Sequence, residues 1–285
     1  MIATSSTDRS IDPSSPNDAI EALTGRRHLS WSQLSSYRRC PRQWFFSHVE
    51  QAEPSFTASS LIFGGAIHAG VQHYYEQQMI GETIDSDDMF LAFVHHWESE
   101  QSDAGVLIRY GKGETPDKLY ELARNIFRVF YASLADETPM TIIGVEETFT
   151  ASLHPRLPDI TARIDLIRQH DEVLHITDIK TSRTRWSEAK LEESSDQLRL
   201  YASVVERCLP ESTIELGFSV VTKTKEPAVQ QLPVVHDEAR SQQLVSQMLP
   251  IFAGMTHGVD YANPSPMTCS TCPYKHLCSS HPRKQ

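Results

Sequence analysis

Between Pro139 and Lys180 the chain writes three β-runs in close succession: Thr141-Ile-Ile-Gly-Val-Glu-Glu-Thr-Phe-Thr, Asp159-Ile-Thr-Ala-Arg-Ile-Asp-Leu-Ile-Arg and Glu172-Val-Leu-His-Ile-Thr-Asp-Ile-Lys. β-Branched residues dominate all three, and short polar or proline-containing breaks separate them. Side chains two apart on a strand share a face, so Asp178 and Lys180 project together. A hairpin between the second and third runs brings Asp165 near Asp178, given a suitable register or a bulge.

Helical periodicity brackets this block. Apolar spacing predicts helices at about 31–39, 60–79, 86–102 and 116–135 before it. Two more follow at about 195–208 and 237–256, with strands near 214–222 and 229–235 between them. Interleaved strands and helices predict a single α/β core around one mixed sheet. Residues 1–28, rich in Ser, Thr, Asp and Pro, are expected to form a flexible arm, and residues 29–285 one domain. A helical insert spans about 80–138, and its stretch from Gly81 to Glu121 carries ten acids against Arg109, Lys112 and Lys118. It reads as an acidic lobe beside the core.

With 26 Lys and Arg against 37 Asp and Glu, the net charge of −11 argues against a simple nucleic-acid-coating protein. The excess is local, however. Ala22 to Val49 holds Arg26, Arg27, Arg38, Arg39 and Arg42 with no acid, and Tyr261 to Gln285 holds Lys275, Arg283 and Lys284 with none. A basic track therefore stays open. No apolar run approaches the ~18 residues of a membrane span, and the first residues lack the basic-then-apolar pattern of a signal peptide. A cytoplasmic protein without membrane contact is expected.

Two carboxylates beside a lysine suit a Mg²⁺ or Mn²⁺ site for phosphodiester chemistry, because hard oxygen ligands hold these ions and leave coordinated waters. Asp-x-Lys alone also occurs on ordinary strand ends. Phe63-Gly-Gly-Ala-Ile-His68 enters a helical stretch; its glycines allow close backbone approach and His68 offers a nitrogen ligand. His73, His95 and His96 read as packed or surface residues. Gln197 and Tyr201, four apart, share a helix face turned either to a phosphate or to ordinary packing.

Five cysteines without an export signal make a poor disulfide framework. Cys269-x2-Cys272-x5-Cys278, with Cys40 as a fourth thiolate, suits zinc or an iron–sulfur cluster, or reads as plain buried thiols; spacing alone does not choose. Cys208, at an apolar helix end, reads as a buried core residue. A metal on the other four ties the N-terminal helix to a tail at about 262–279. That staple would gather Arg38, Arg39, Arg42 and Lys275 into either a phosphate-facing rim or an ordinary solvated basic surface. Trp31, Tyr37, Trp44 and Phe45 offer either stacking surfaces for single-stranded DNA or hydrophobic packing.

The order of these elements resembles the RecB-like branch of the PD-(D/E)XK nuclease superfamily, which includes nuclease modules of bacterial helicase–nucleases and the Cas4 proteins. The resemblance rests on Ser30 to Phe46, Gly64 to His68, Val145-Glu146 with Phe149, Arg163-Ile-Asp165, Asp178-Ile-Lys180, Gln197 to Tyr201 and the cysteine tail. It implies a restriction-endonuclease-like mixed sheet flanked by helices. It implies metal binding by His68, Asp165 and Asp178 with the Ile179 carbonyl, catalysis by Lys180, and support of the site and the DNA by Gln197 and Tyr201. Glu146 competes with Glu147 for a place in the site, and either reads equally as structural. The four cysteines would hold a [4Fe–4S] cluster, with zinc as the alternative. Ala162 stands where the family usually has Gly, and the insert is longer than in compact Cas4 proteins. The activity implied is a metal-dependent DNA exonuclease working at ends or on single strands in repair or recombination. Alternatives are a Cas4-like CRISPR spacer-processing nuclease beside an integration protein, and a non-catalytic DNA-binding subunit beside a helicase. No phosphate-loop motif occurs in the sequence, so an ATP-driven motor would be another chain.

Overall fold

Six strands form the central sheet of the computed structural model, which describes residues 15–278 other than 104 and 106. The first third of the chain comprises α1 (Pro16–Thr24), β1 (His28–Ser30), α2 (Trp31–Arg39), α3 (Pro41–Trp44) and a π-helical turn (Phe45–Val49). Next come β2 (Thr57–Ala58) and α4 (Ser59–Met79), and then the insert with α5 (Ser86–Asp103), β3 (Ile108–Arg109), α6 (Pro116–Ser133) and a 3-10 turn (Leu134–Asp136). Then come β4 (Thr141–Ala151), β5 (Asp159–His170), β6 (Val173–Ser182), α7 (Glu188–Cys208), β7 (Thr213–Thr222), β8 (Val229–Val234), α8 (Glu238–Thr256) and α9 (Pro266–Ser270). The expected α/β architecture with a mixed sheet flanked by helices is observed.

Strand β5 carries the sheet. From Ile160 to Gln169 it pairs with β4, antiparallel. Its other edge is shared: β6 pairs with it from His170 back to Leu166, and β1 takes over, parallel, from Thr161 to Asp159. Between Thr161 and Leu166 no strand occupies that edge. β6 meanwhile leaves β5 after Thr177 and runs on beside β7 as far as Ser182, with β8 outermost. The sheet thus forks, and Asp165 and Asp178 stand at the branch point.

The core changes sides at the same place. Ile160, Ala162 and Ile164 point into the core formed with α2, α7 and α8, but the next residue to do so is Ile167, while Leu166 joins the other core. The alternation slips by one at Asp165, and opposite it Glu146 has a left-handed φ of 55°. The second core packs α4, α5 and α6 on the far face. There α5 crosses α4 at Gly70, where a Cβ would lie 2.4 Å from the Phe127 ring and 2.7 Å from the Met89 carbonyl oxygen. Aromatic rings fill the crossing, with Phe93 stacked on Trp97 and edge-on to Phe63 and Phe127.

The expected arm at 1–28 requires correction. Residues 1–14 lie outside the described residues, but Pro16–Thr24 is a helix with Ala19 and Ile20 buried in the first core. Its signals are local. Ser15 caps the N-terminus, Pro16 occupies the first turn and Gly25 ends the helix at φ 72°. Asn17 then joins α1 to β5, donating to Asp159 Oδ2 and accepting the Asp159 N–H. Helix α7 also starts earlier than predicted, at Glu188 after the Ser187 cap.

Candidate active site

At the fork, Asp165 Oδ2 accepts the backbone N–H of Ile179 at 2.7 Å. An N–H and C=O of one strand residue point the same way, so Ile179 turns its carbonyl into the fork as well. Asp178, one residue earlier, faces the α7 side. Its Oδ1 accepts the Gln197 amide at 2.9 Å, and its Oδ2 lies 2.5 Å from Lys180 Nζ. The Lys180 ammonium is thus the charge that faces buried Asp178 Oδ2. Gln197 also donates to the Tyr201 hydroxyl at 3.1 Å.

Strand β4 and helix α4 close the other side. The left-handed turn at Glu146 directs its carboxylate into the site while Glu147 stays exposed. One ligand atom from each of His68, Glu146 and Asp165 lies within 4.8 Å of the others. The His68 ring stands 3.5 Å from Asp165, and Arg163 pairs with Glu146 at 2.5 Å. These groups line an open cleft of about 520 Å³, together with Gly64, Gly65, Asp178, Lys180, Gln197 and Tyr201. Of the sequence candidates, then, His68, Asp165, Asp178, Ile179, Lys180, Gln197 and Tyr201 meet here, and Glu146 rather than Glu147 joins them. Sequence reasoning missed the places of Leu61, His96 and Gln72 on the cleft wall.

Burial governs the electrostatics. It pushes the Asp165 and Asp178 carboxyls up to about 6, against the pull of the Lys180 ammonium. Burial and then Lys180 push the His68 imidazole down, which keeps it neutral and able to donate a lone pair to a metal. The Tyr201 hydroxyl, raised to about 12 by burial first, stays protonated.

A family model described as the PD-(D/E)XK nuclease superfamily matches residues 28–279. The chain belongs to that superfamily. Among solved structures, the superfamily member shares its fold with a "Putative exonuclease" from Eubacterium rectale at TM-score 0.57 and 14% identity, over 100% of this chain and 97% of that one. The structure of SSO0001, also 14% identical, aligns over 87% of this chain and 95% of that one with a TM-score of 0.35, too low to carry an argument. No curated protein has a matching sequence.

The five cysteines fall into a group of four and one apart. Cys40, Cys269, Cys272 and Cys278 line one pocket with Arg42 and Lys275. Burial, with the neighbouring thiols adding to it, pushes the Cys272 thiol up. The tail is strapped to the N-terminal helices by protein contacts too: Tyr37 donates to the Val259 carbonyl at 2.6 Å, and the Asn263 N–H to Cys40 Sγ at 3.5 Å. Cys208, expected in the core, is exposed instead and donates to the Thr150 carbonyl. It sits on the last turn of α7, beyond the face that packs.

The basic rim is narrower than expected. Arg38, Arg39 and Lys275 are exposed, but Arg42 pairs with Asp260 at 3.2 Å and donates to its carbonyl. The acid that neutralises it stands one residue before the acid-free tail. Arg283 and Lys284 lie outside the described residues. Tyr37, Trp44 and Phe45 are buried, with Trp44 edge-on to both others, so they are packing residues and not a stacking platform. Trp31 packs partly against the same core.

Among the described residues, no helix is long and apolar enough to cross a membrane.

Proposed function

We propose that this superfamily member is a Mg²⁺- or Mn²⁺-dependent deoxyribonuclease that hydrolyses phosphodiester bonds at DNA ends or in single-stranded DNA, in repair or recombination. One observation carries the reading: three carboxylates, an imidazole and Lys180 converge on one open cleft. Hard carboxylate oxygens and an imidazole nitrogen gathered within 4.8 Å fit a small divalent cation. His68, Glu146, Asp165 and Asp178 would hold it, with the Ile179 carbonyl beside them. Bound there, such an ion supplies an acidified water and neutralises charge on the phosphate.

The chain's own groups do the rest. Lys180 is held by Asp178 but remains 30% exposed, so its ammonium can swing to the attacking water or to a phosphate oxygen. Gln197 fixes the Asp178 carboxylate that orients Lys180. The Tyr201 oxygen accepts from Gln197, which leaves its proton for a phosphate oxygen. This complete set argues for a catalyst over a non-catalytic DNA-binding subunit. A place beside a helicase, or as a Cas4-like nuclease beside a CRISPR integration protein, is a narrower version of the same reading that nothing in the site favours.

The second part of the reading is a [4Fe–4S] cluster on Cys40, Cys269, Cys272 and Cys278. All four line one pocket. Four thiolates hold either this cluster or tetrahedral zinc, and the one-plus-three order of the cysteines, shared with the nucleases this chain resembles, favours the cluster. Its role is a staple, with Arg38, Arg39 and Lys275 on the surface around it available to backbone phosphates.

Digestion of end-labelled single- and double-stranded DNA with Mg²⁺, Mn²⁺ or a chelator tests the activity. Metal-dependent release of labelled fragments is expected. Intact DNA under all metal conditions, from protein with its tail cysteines loaded, would refute it.

A further inference from the structure

The helical insert, otherwise without chemistry, places one side chain in the cleft. Helix α5 crosses α4 so that His96 Nε2 stands 3.2 Å from where a Cβ on Gly65 would be, and His96 lines the cleft that holds the carboxylates. A Cβ at position 65 would press on the ring, so glycine there lets it settle on the α4 backbone. Among the described residues no hydrogen bond or ion pair engages the His96 nitrogens. Gln72, another nitrogen donor on that wall, already donates to Glu76 at 2.7 Å. Arg163, on the β5 side, is paired with Glu146. On the wall opposite Arg163, His96 is an uncommitted ring-nitrogen donor, and the Ser60 hydroxyl lines the same cleft.

Beside it lies Leu61, one helical turn before Gly65 on the same face of α4. Its side chain is 72% exposed at the mouth of a cleft whose other groups are largely polar. An apolar side chain next to a free nitrogen donor matches the two faces of a nucleotide: a base to rest on, and a phosphate to bind.

We propose that His96 and Leu61 form a nucleotide-binding subsite between the insert helix α5 and helix α4, His96 donating to a backbone phosphate next to the scissile one and Leu61 carrying the adjoining unpaired base. This rests on the nuclease reading and adds which element grips the strand. It gives the insert a function despite its acidic surface. The donor sits where the wall of carboxylates would otherwise repel the incoming polyanion.

The test measures binding of a labelled single-stranded oligonucleotide to the full chain with Ca²⁺ in place of Mg²⁺, then cleavage with Mn²⁺. His96→Ala should weaken binding about tenfold and raise KM more than it lowers kcat. His96→Gln, which keeps a donor, should recover most of the loss, and His95→Ala, on the exposed neighbour, should match wild type. Leu61→Ala should weaken binding to a normal oligonucleotide while leaving affinity unchanged for one that is abasic at the contacted position. Wild-type protein that cleaves, paired with a His96→Ala variant of unchanged Kd and KM, overturns the subsite and leaves the nuclease reading standing. Wild-type protein that neither binds nor cleaves overturns both. Loss of the Mn²⁺-induced rise in Tm in His96→Ala would make His96 a metal ligand and also overturn the assignment.

Discussion

Ile179 gives its backbone N–H to Asp165 Oδ2 at the point where their two strands have stopped pairing. The side chain replaces the carbonyl that β5 would have offered had the ladder continued. Two consequences follow from this one bond. The opened fork leaves a place for ligand and substrate, and Asp165 is drawn into a buried position next to Asp178, where two negative charges are costly without a cation.

That cost sets a pH dependence. Folding raises both carboxyls from an ordinary 3.8 to about 6. Between those values the folded chain holds protons that the unfolded chain has lost, so the two groups favour folding most at low pH. Their contribution is lost as pH rises through about 6. In chelator, the Tm of wild type relative to Asp178→Asn should therefore fall between pH 4 and 7, and at pH 7 the variant should be more stable by about 1–3 kcal/mol. Mn²⁺ at pH 7 should raise the wild-type Tm and leave the variant nearly unmoved. A wild-type Tm that gains on the variant with rising pH would show that burial does not set these groups.

The α4–α5 crossing makes a prediction independent of function. A methyl on Gly70 meets the Met89 carbonyl oxygen at 2.7 Å, and backbone cannot step aside as a side chain can. Gly70→Ala should cost about 1–3 kcal/mol or more by overpacking, despite its better helix propensity. Gly64→Ala, whose methyl would sit 3.7 Å from Thr181 Oγ1, should leave the Tm close to wild type. Equal melting of the two variants would mean that the crossing relaxes.

Much of this was legible in the sequence, and the parts that were not share a physical reason. Strands β4 to β8 and helices α2 and α4 to α8 announce themselves by long periodic patterns. Asp178 and Lys180 are legible as a pair because strand alternation fixes their common face. Glu146 is not, because its direction depends on a left-handed φ and on a slip in alternation that no local pattern encodes. His96 is hidden for a related reason: its neighbour in space is Gly65, 31 residues earlier, and helical periodicity says nothing of what a half-exposed residue faces. Helix α1 carried clear caps, but its polar surroundings read as disorder. For Arg42 the sequence showed a basic run and only the fold showed Asp260.

The cysteines divide into four and one. Anaerobically purified protein should carry about four irons per chain. Cys40→Ala should lose that metal and melt lower, since Cys40 is buried in the pocket the tail thiols share. Cys208→Ala should keep it, and an alkylating reagent should modify exposed Cys208 without releasing iron. Stoichiometric zinc and no iron would replace the cluster with a zinc staple.

Lys180 separates chemistry from binding. Its ammonium lies against Asp178 and pulls down both buried carboxyls, so it tunes the site even before substrate arrives. Removing it should have two effects of different kind. Lys180→Ala should cut the turnover of labelled DNA by about 10²-fold or more, because the charge acts mainly in the transition state, while DNA affinity changes little. It should also shift the pH at which Mn²⁺ begins to raise the Tm upward, since the carboxyls keep their protons longer without the neighbouring cation. Asp165→Ala should abolish cleavage as well, but with the Mn²⁺ response lost at every pH. A Lys180→Ala protein that cleaves as fast as wild type on the same DNA would place the chemistry outside this cleft.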